Sequence, residues 1–427
     1  MEKLTALCLA LLLPAGAASA RTLLLKGGTV HTVSHGTLTP GDVLVRDGRI
    51  AAVAAHVEEP ADQTIDLAGL HLYPGLISAA TELGLVEIAG VRASVDVRET
   101  GEFTPEIESW TAVNPDSELI PVSRANGITH FVPIPAGNLI SGTSGLLAAR
   151  GWTIEDMTLR KHTAMHLFWP DHALRIPGPE TDPSIKLKPL EEQSRARAEK
   201  VRTIDQFFND AEAWEKRPAG SPVVPAWEAM LPVVRGEIPL MIHAQGLREI
   251  RAALKWTATH PRLRMILEGG KEAWMVAAEL AQRKIPVIYS EVFTLPSQDS
   301  DGYDVQFRAP AVLQQAGVTV AIGGGLDGDN ASGQRNLPYI AAQAAAFGFT
   351  PEAALASITL IPAQLHGVGD LLGSIDVGKD ASLFTASGDI LDIRSQVKQL
   401  WISGEEQSLA TRHTRLAVRY RARPRAK

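Results

Sequence analysis

Residues 238–289 read IPLMIHAQGLREIRAALKWTATHPRLRMILEGGKEAWMVAAELAQRKIPVIY. Two periods alternate along this stretch. Pro239–His243 is a short apolar run with the length of a buried strand, and Leu247–Thr259 reads as a helix. Arg264–Leu267 and Pro286–Tyr289 repeat the strand, and Glu272–Arg283 repeats the helix, with Trp274, Ala277, Ala278 and Ala281 on one face. Short buried strands separated by helices favour a parallel sheet.

The same rhythm extends to both sides. Gly75–Ile77, Thr129–Pro133, Met165–Trp169 and Thr319–Ile322 are further candidate strands, and Arg335–Phe347 and Pro351–Thr359 further helices. Seven or eight such units over about 290 residues favour a (β/α)8 (TIM) barrel over an open sheet, so the fold class is α/β. Residues 176–222 break the rhythm. They carry Pro177, Pro179, Pro183 and Pro189, then the charged helical run Glu191–Lys216, and read as an insertion acting as a lid or packing arm. Gly137–Gly145 reads as a loop of small polar residues, either structural or suited to a substrate carboxylate or amide.

Before the barrel, residues 21–73 read as small antiparallel β structure. Asp42–Arg46 and Arg49–Val53 flank Asp47-Gly48, a strong hairpin signal. Residues 1–20 resemble an export signal. Lys3 supplies positive charge, Leu4–Leu13 is a short apolar run, and Ala18-Ser19-Ala20 fits small-x-small cleavage after Ala20. The expected location is therefore periplasmic or secreted. The chain of 427 residues has one cysteine, Cys8, which leaves with that segment. The remaining chain then has neither a disulfide framework nor a thiolate site. A formal net charge of −7 gives no nucleic-acid footprint, and no later apolar run reaches the roughly 18 residues of a membrane span. From Arg412 onwards seven residues are basic. They read as a solvated helix and tail, with attraction to a membrane or polyanion as the alternative.

Three motifs carry a family resemblance. Asp42–Val53 followed by Leu72-Tyr73-Pro74-Gly75-Leu76-Ile77, the run Ile358–Gly367, and Leu372–Ala381 with its GSI-x-x-GKDA pattern resemble the amidohydrolase superfamily, closest to its imidazolonepropionase-like group of metal-dependent hydrolases. The resemblance covers residues 23–405 or nearly so. It implies a TIM barrel, residues 74–370, joined to a small composite β-sandwich built from residues 21–73 and 371–405, with 406–427 as a basic tail. Ala381–Thr385 and Gln396–Ser403 are strand-like, in agreement. The implied chemistry is hydrolysis of C–N bonds in amides and cyclic amides. One or two divalent ions activate water, and a carboxylate at the barrel top moves protons.

The site residues depart from the family pattern. In the family's PGLID-x-H-x-H segment, Ser78 takes the Asp position, and Ala80 and Glu82 take the histidine positions. His166 aligns with the bridging lysine. His243 keeps its residue type. Glu268 replaces the next histidine. Gly325 stands where the final Asp belongs, with Asp327 and Asp329 displaced beyond it. His166, His243, Glu82 and Glu268 together form a mixed His/carboxylate set for a single ion, either zinc or iron/manganese. Each also has a plain structural reading as a satisfied core or ion-paired residue. His243 with Asp327 or Asp329 could serve acid–base catalysis without metal.

Three functions follow: a hydrolase of C–N bonds in small molecules with an altered, mononuclear site, a metal-independent enzyme, or an inactive relative that binds a small ligand or protein. The expected partner is a small-molecule substrate, with no nucleic acid and no membrane span; a homo-oligomer stays open.

Overall fold

The computed structural model describes residues 22–137, 139–176, 186–326 and 328–423. The candidate export segment and Asp327 lie outside the described residues.

Five N-terminal strands come first: β1 Thr22–His31, β2 Thr37–Arg46, β3 Arg49–Ala54, β4 Gln63–Asp66 and β5 His71–Pro74. Eight barrel strands follow: β6 Leu76–Thr81, β7 Ile128–Pro133, β8 Ile140–Ala148, β9 Thr158–Phe168, β10 Leu240–Ala244, β11 Met265–Gly269, β12 Val287–Tyr289 and β13 Val320–Ile322. Three strands close the chain: β14 Leu383–Ala386, β15 Val397–Ile402 and β16 Glu405–Glu406.

The first and last groups form one composite sheet, ordered β16-β15-β14-β5-β1-β2-β3, with β4 beside β1. C-terminal β14 pairs antiparallel with N-terminal β5, so each end of the chain covers an edge of the other. Leu25, Val30, Val43, Leu72, Leu383 and Trp401 share the core of this sheet. The Asp47-Gly48 hairpin is present. Both residues have positive φ, 50° and 76°, as a two-residue type I′ turn requires. A side chain on Gly48 would also lie 2.5 Å from the Ser403 carbonyl oxygen in the β15–β16 turn. That glycine therefore serves both turn geometry and docking of the C-terminal hairpin.

The barrel strands pair in sequence order from β6 to β13. The remaining gap is bridged by residues 357–358: Ile322 N–H donates to the Ser357 carbonyl (3.0 Å) and Ile77 N–H to the Ile358 carbonyl (2.8 Å). All barrel pairings are parallel except those of β8, which runs antiparallel to β7 and β9. This strand corrects the reading of Gly137–Gly145 as a loop. Residues 134–139 are too few for a parallel crossover, so the chain returns as a hairpin. Glycine and serine hide the strand signal, yet every residue of β8 is buried. Gly142 sits at φ 108°, where a Cβ would lie 2.4 Å from the Ile107 carbonyl oxygen. It marks a close backbone approach.

The charged run of the insertion is a 26-residue helix, Leu190–Glu215, lying on the barrel flank. Phe208 meets Trp256 edge to face at 4.8 Å, Phe207 stacks on Phe103 at 4.4 Å, and the Trp256 indole N–H donates to Asp205 (3.1 Å). The basic segment forms helix Arg412–Arg421, whose Arg415 pairs with Glu118. Among the described residues no helix is long and apolar enough to cross a membrane.

Candidate functional site

Strand periodicity decides which side chains enter the barrel. In β10, Leu240, Ile242 and Ala244 pack outward, while Met241 joins Ile266, Ile288, Ala321 and Ala164 in an inner apolar cluster. The period of two places His243 on the same inner row, one step nearer the C-terminal end. Glu268 pairs in register with His243, and His166 with Met241. Ser290 continues the inner row of β12. Three consecutive parallel strands thus aim an imidazole, another imidazole and a carboxylate into one interior.

These groups form a chain. His243 Nδ1 lies 2.8 Å from Glu268 Oε2, and His243 Nε2 lies 3.0 Å from His166 Nδ1. The Ser290 hydroxyl donates to Glu268 Oε1 at 2.9 Å. His166, His243 and Glu268 are 0%, 7% and 2% exposed, so the chain is shielded from water. Phe168 covers the His243 ring, stacked at 4.0 Å. A carboxylate oxygen accepts, so His243 donates its Nδ1–H to Glu268 Oε2 and, with one hydrogen per ring, leaves its Nε2 as an acceptor. His243 Nε2 then accepts from His166 Nδ1–H. This leaves His166 Nε2 as a bare lone pair, and it has no hydrogen-bond partner. Burial, then His243, then His366 hold His166 well below the ordinary histidine range, so that ring is neutral.

His366 completes the interior from the end of helix Leu360–Leu365. Its Nε2–H donates to the Ala79 carbonyl at 2.8 Å, and its Nδ1 has no partner. Burial lowers it to about 4, offset in part by the Ala79 bond. Just beyond the strand end stands Glu291. Burial raises its carboxyl, the Glu268 charge adds to this, and Thr294, Lys271 and Gln245 oppose it. Gln245 beside it is exposed, so this end of the chain faces solvent. A carboxyl group raised by burial and a like charge is a common acid–base arrangement.

The structure brings His166, His243 and Glu268 together. Glu82 is buried just past β6, where its carbonyl accepts from Leu85 and Val86 N–H. Asp329 is exposed in the first turn of helix Gly328–Gly333. Ala80 lies in the apolar inner cluster, and Ser78 donates to Gln334 Oε1 (2.6 Å). Sequence reasoning missed Ser290, Glu291 and His366. Ser290 and Glu291 directly follow a strand that was legible, at the barrel end where site residues gather. His366 sits inside the Ile358–Gly367 motif, where it was used only for the family resemblance.

The donor set does not fit the family's metal centre. Zinc takes about four N, S or O donors near 2 Å. Both ring nitrogens of His243 are committed to hydrogen bonds, and among the described residues no group of three or more His, Cys, Asp or Glu is arranged to hold a metal ion.

Comparison with known proteins agrees with the architecture. Residues 238–408 match the Amidohydrolase family model. Amidohydrolase tasK of Hapsidospora irregularis is 23% identical over 403 residues, covering 86% of this chain and 40% of that protein. The imidazolonepropionase of Klebsiella pneumoniae is 45% identical over 53 residues, 12% of this chain and 13% of that one. The chain thus spans less than half the length of the curated relatives it matches. The crystal structure of an amidohydrolase from Thermotoga maritima superimposes with a TM-score of 0.79 at 24% identity, covering 90% of this chain and 99% of that one. The fold is that of the amidohydrolases it resembles, and among the described residues no cluster is arranged to hold a metal ion.

Proposed function

We propose that this chain is an exported hydrolase of C–N bonds in small amides, cyclic amides or short peptide-like molecules, working through an imidazole–carboxylate chain. The observation that carries this reading is the His166–His243–Glu268 chain with Glu291 at its Glu268 end, a carboxyl raised by burial and by the Glu268 charge. The amidohydrolase fold supports the bond class. The GSI-x-x-GKDA run and the short match to an imidazolonepropionase favour that subgroup. The apolar, small-residue pattern of residues 4–20 supports export.

In this mechanism water at the solvent-facing end of the chain attacks the amide carbon while its proton passes to the Glu268 carboxylate. His243 Nδ1 and the Ser290 hydroxyl hold that carboxylate in place, and His166 orients the His243 ring. The C–N bond breaks as Glu291, kept protonated more readily by its burial, gives its proton to the leaving nitrogen. The products are a carboxylic acid and an amine.

The test is a turnover screen of N-acyl amino acids, dipeptides and cyclic ureides, run with chelator and with added zinc, manganese or iron. Metal content is measured alongside. Turnover that survives chelation and falls at least about a hundredfold in His243→Ala and Glu291→Gln supports the reading. Turnover that requires an added ion overturns the metal-independent chain. A second reading, a ligand-binding barrel without turnover, is favoured by the commitment of both His243 nitrogens to partners within the chain. It stands if no substrate reacts under any condition while one of them raises the melting temperature.

A further inference from the structure

A cavity lies at the opposite end of the barrel. It holds about 610 Å³ and is lined by residues that precede the strands: Pro239 before β10, Arg264 before β11, and Lys284–Pro286 before β12. His260 and Arg283 complete a wall bearing three fixed cations and an imidazole, with no carboxylate in the lining. The whole chain, by contrast, has a net charge of −7.

Two of these cations, Arg264 and Lys284, form no ion pair among the described residues, while Arg283 stands 3.8 Å from Glu279 and His260 3.8 Å from Asp205. Arg264 Nη1 donates to the Glu237 carbonyl (3.3 Å). Arg283 donates to the Leu254 carbonyl (2.6 Å) and to Thr257 Oγ1 (2.9 Å), and Glu279 is not among the residues that line the cavity. Among the described residues ion pairs involve neighbouring Arg262 and Arg283, but neither Arg264 nor Lys284. Lys284 also occupies a position suited to glycine. It follows helix Ala277–Gln282 at φ 54°, with the Lys284 and Ile285 amides closing the helix end on Ala281 and Leu280. A lysine here costs backbone energy that glycine would spare, and it puts an ammonium group on the cavity wall.

We propose that this cavity is a binding site for a small, multiply charged anion, separate from the barrel-top chain. Carboxylate-free cationic walls favour an anionic ligand through charge-assisted hydrogen bonds. Phosphate and carboxylate groups share this chemistry, so the test uses both. The full chain is titrated calorimetrically with pyrophosphate and, separately, with citrate, at low and at physiological salt.

The expected result is saturable binding of at least one anion, one per chain. Each removed cation should weaken it about tenfold, in Arg264→Ala and in Lys284→Gly. Lys284→Gly removes the charge while relieving the backbone, so its melting temperature should hold or rise, and lost binding cannot then be ascribed to unfolding. Absence of saturable binding by either anion, or affinities unchanged in both variants, overturns the proposal.

Discussion

Removing the middle of the buried chain tests its coupling most sharply. His243→Ala leaves Glu268 Oε2 without its 2.8 Å donor and His166 Nδ1 without its 3.0 Å acceptor. An unpaired buried charge typically costs ~3–5 kcal/mol, and a stranded neutral donor ~1–3 kcal/mol. Ser290 still donates to Glu268 Oε1, and water entering the vacated ring space offsets part of the loss. A net destabilisation of about 4 kcal/mol is expected. Glu268→Gln is milder, because the amide oxygen can still accept from His243 Nδ1. Exchange of a charge-assisted bond for a neutral one costs about 1–2 kcal/mol. The double variant carries no orphaned charge, so it should be less destabilised than the sum of the singles by about 2 kcal/mol. Urea denaturation of the four proteins at pH 7 supplies the cycle, provided that the m-values agree. Additive losses to within about 0.5 kcal/mol would refute the coupling.

Two further outcomes concern acid stability and the composite sheet. His130 and His366 are buried and held at about 4, chiefly by burial, against 6.5 when unfolded. The unfolded chain binds more protons between these values, so stability is full above pH 6.5 and falls towards pH 4, by about 3 kcal/mol for each histidine. His366→Met should lose about 1 kcal/mol at pH 7 with its bond to Ala79, yet show a shallower fall between pH 6.5 and 4; an unchanged slope by urea titration would exclude His366 as a contributor. Gly48→Ala should cost about 2–3 kcal/mol, since it combines a positive φ with the approach to Ser403. Gly36→Ala, with φ 79° and open space around it, should cost only about 1 kcal/mol. Equal melting temperatures for the two variants would remove the docking role of Gly48.

What could be read from the chain alone follows from how each feature is encoded. The seven parallel barrel strands are continuous apolar runs, and their period and length are visible without tertiary information. The Asp47-Gly48 hairpin is local turn chemistry. Strand β8 was hidden because Gly142 and Thr143 answer to the backbone of Ile107, far earlier in the chain, and not to local propensity. At the site, His243 and Glu268 were legible as the residues that end apolar strands. Their grouping with His166 was also read from the chain, as ligands of one ion, but their hydrogen-bonded order was not, because it depends on the register of β9 against β10. Glu291 and His366 gain their chemical character from burial and from neighbouring charges, which no residue pattern displays.

The hydrogen positions along His166–His243–Glu268 are measured most directly by NMR of ¹⁵N-labelled imidazoles at pH 7. The two rings are identified by loss of their signals in His166→Gln and His243→Gln. His166 should be neutral with hydrogen on Nδ1 and an unprotonated Nε2, and His243 should show a strongly deshielded Nδ1 proton shared with Glu268. Hydrogen on Nε2 of His166, or metal-shifted signals from either ring in the purified protein, would contradict the proton chain on which the proposed chemistry rests.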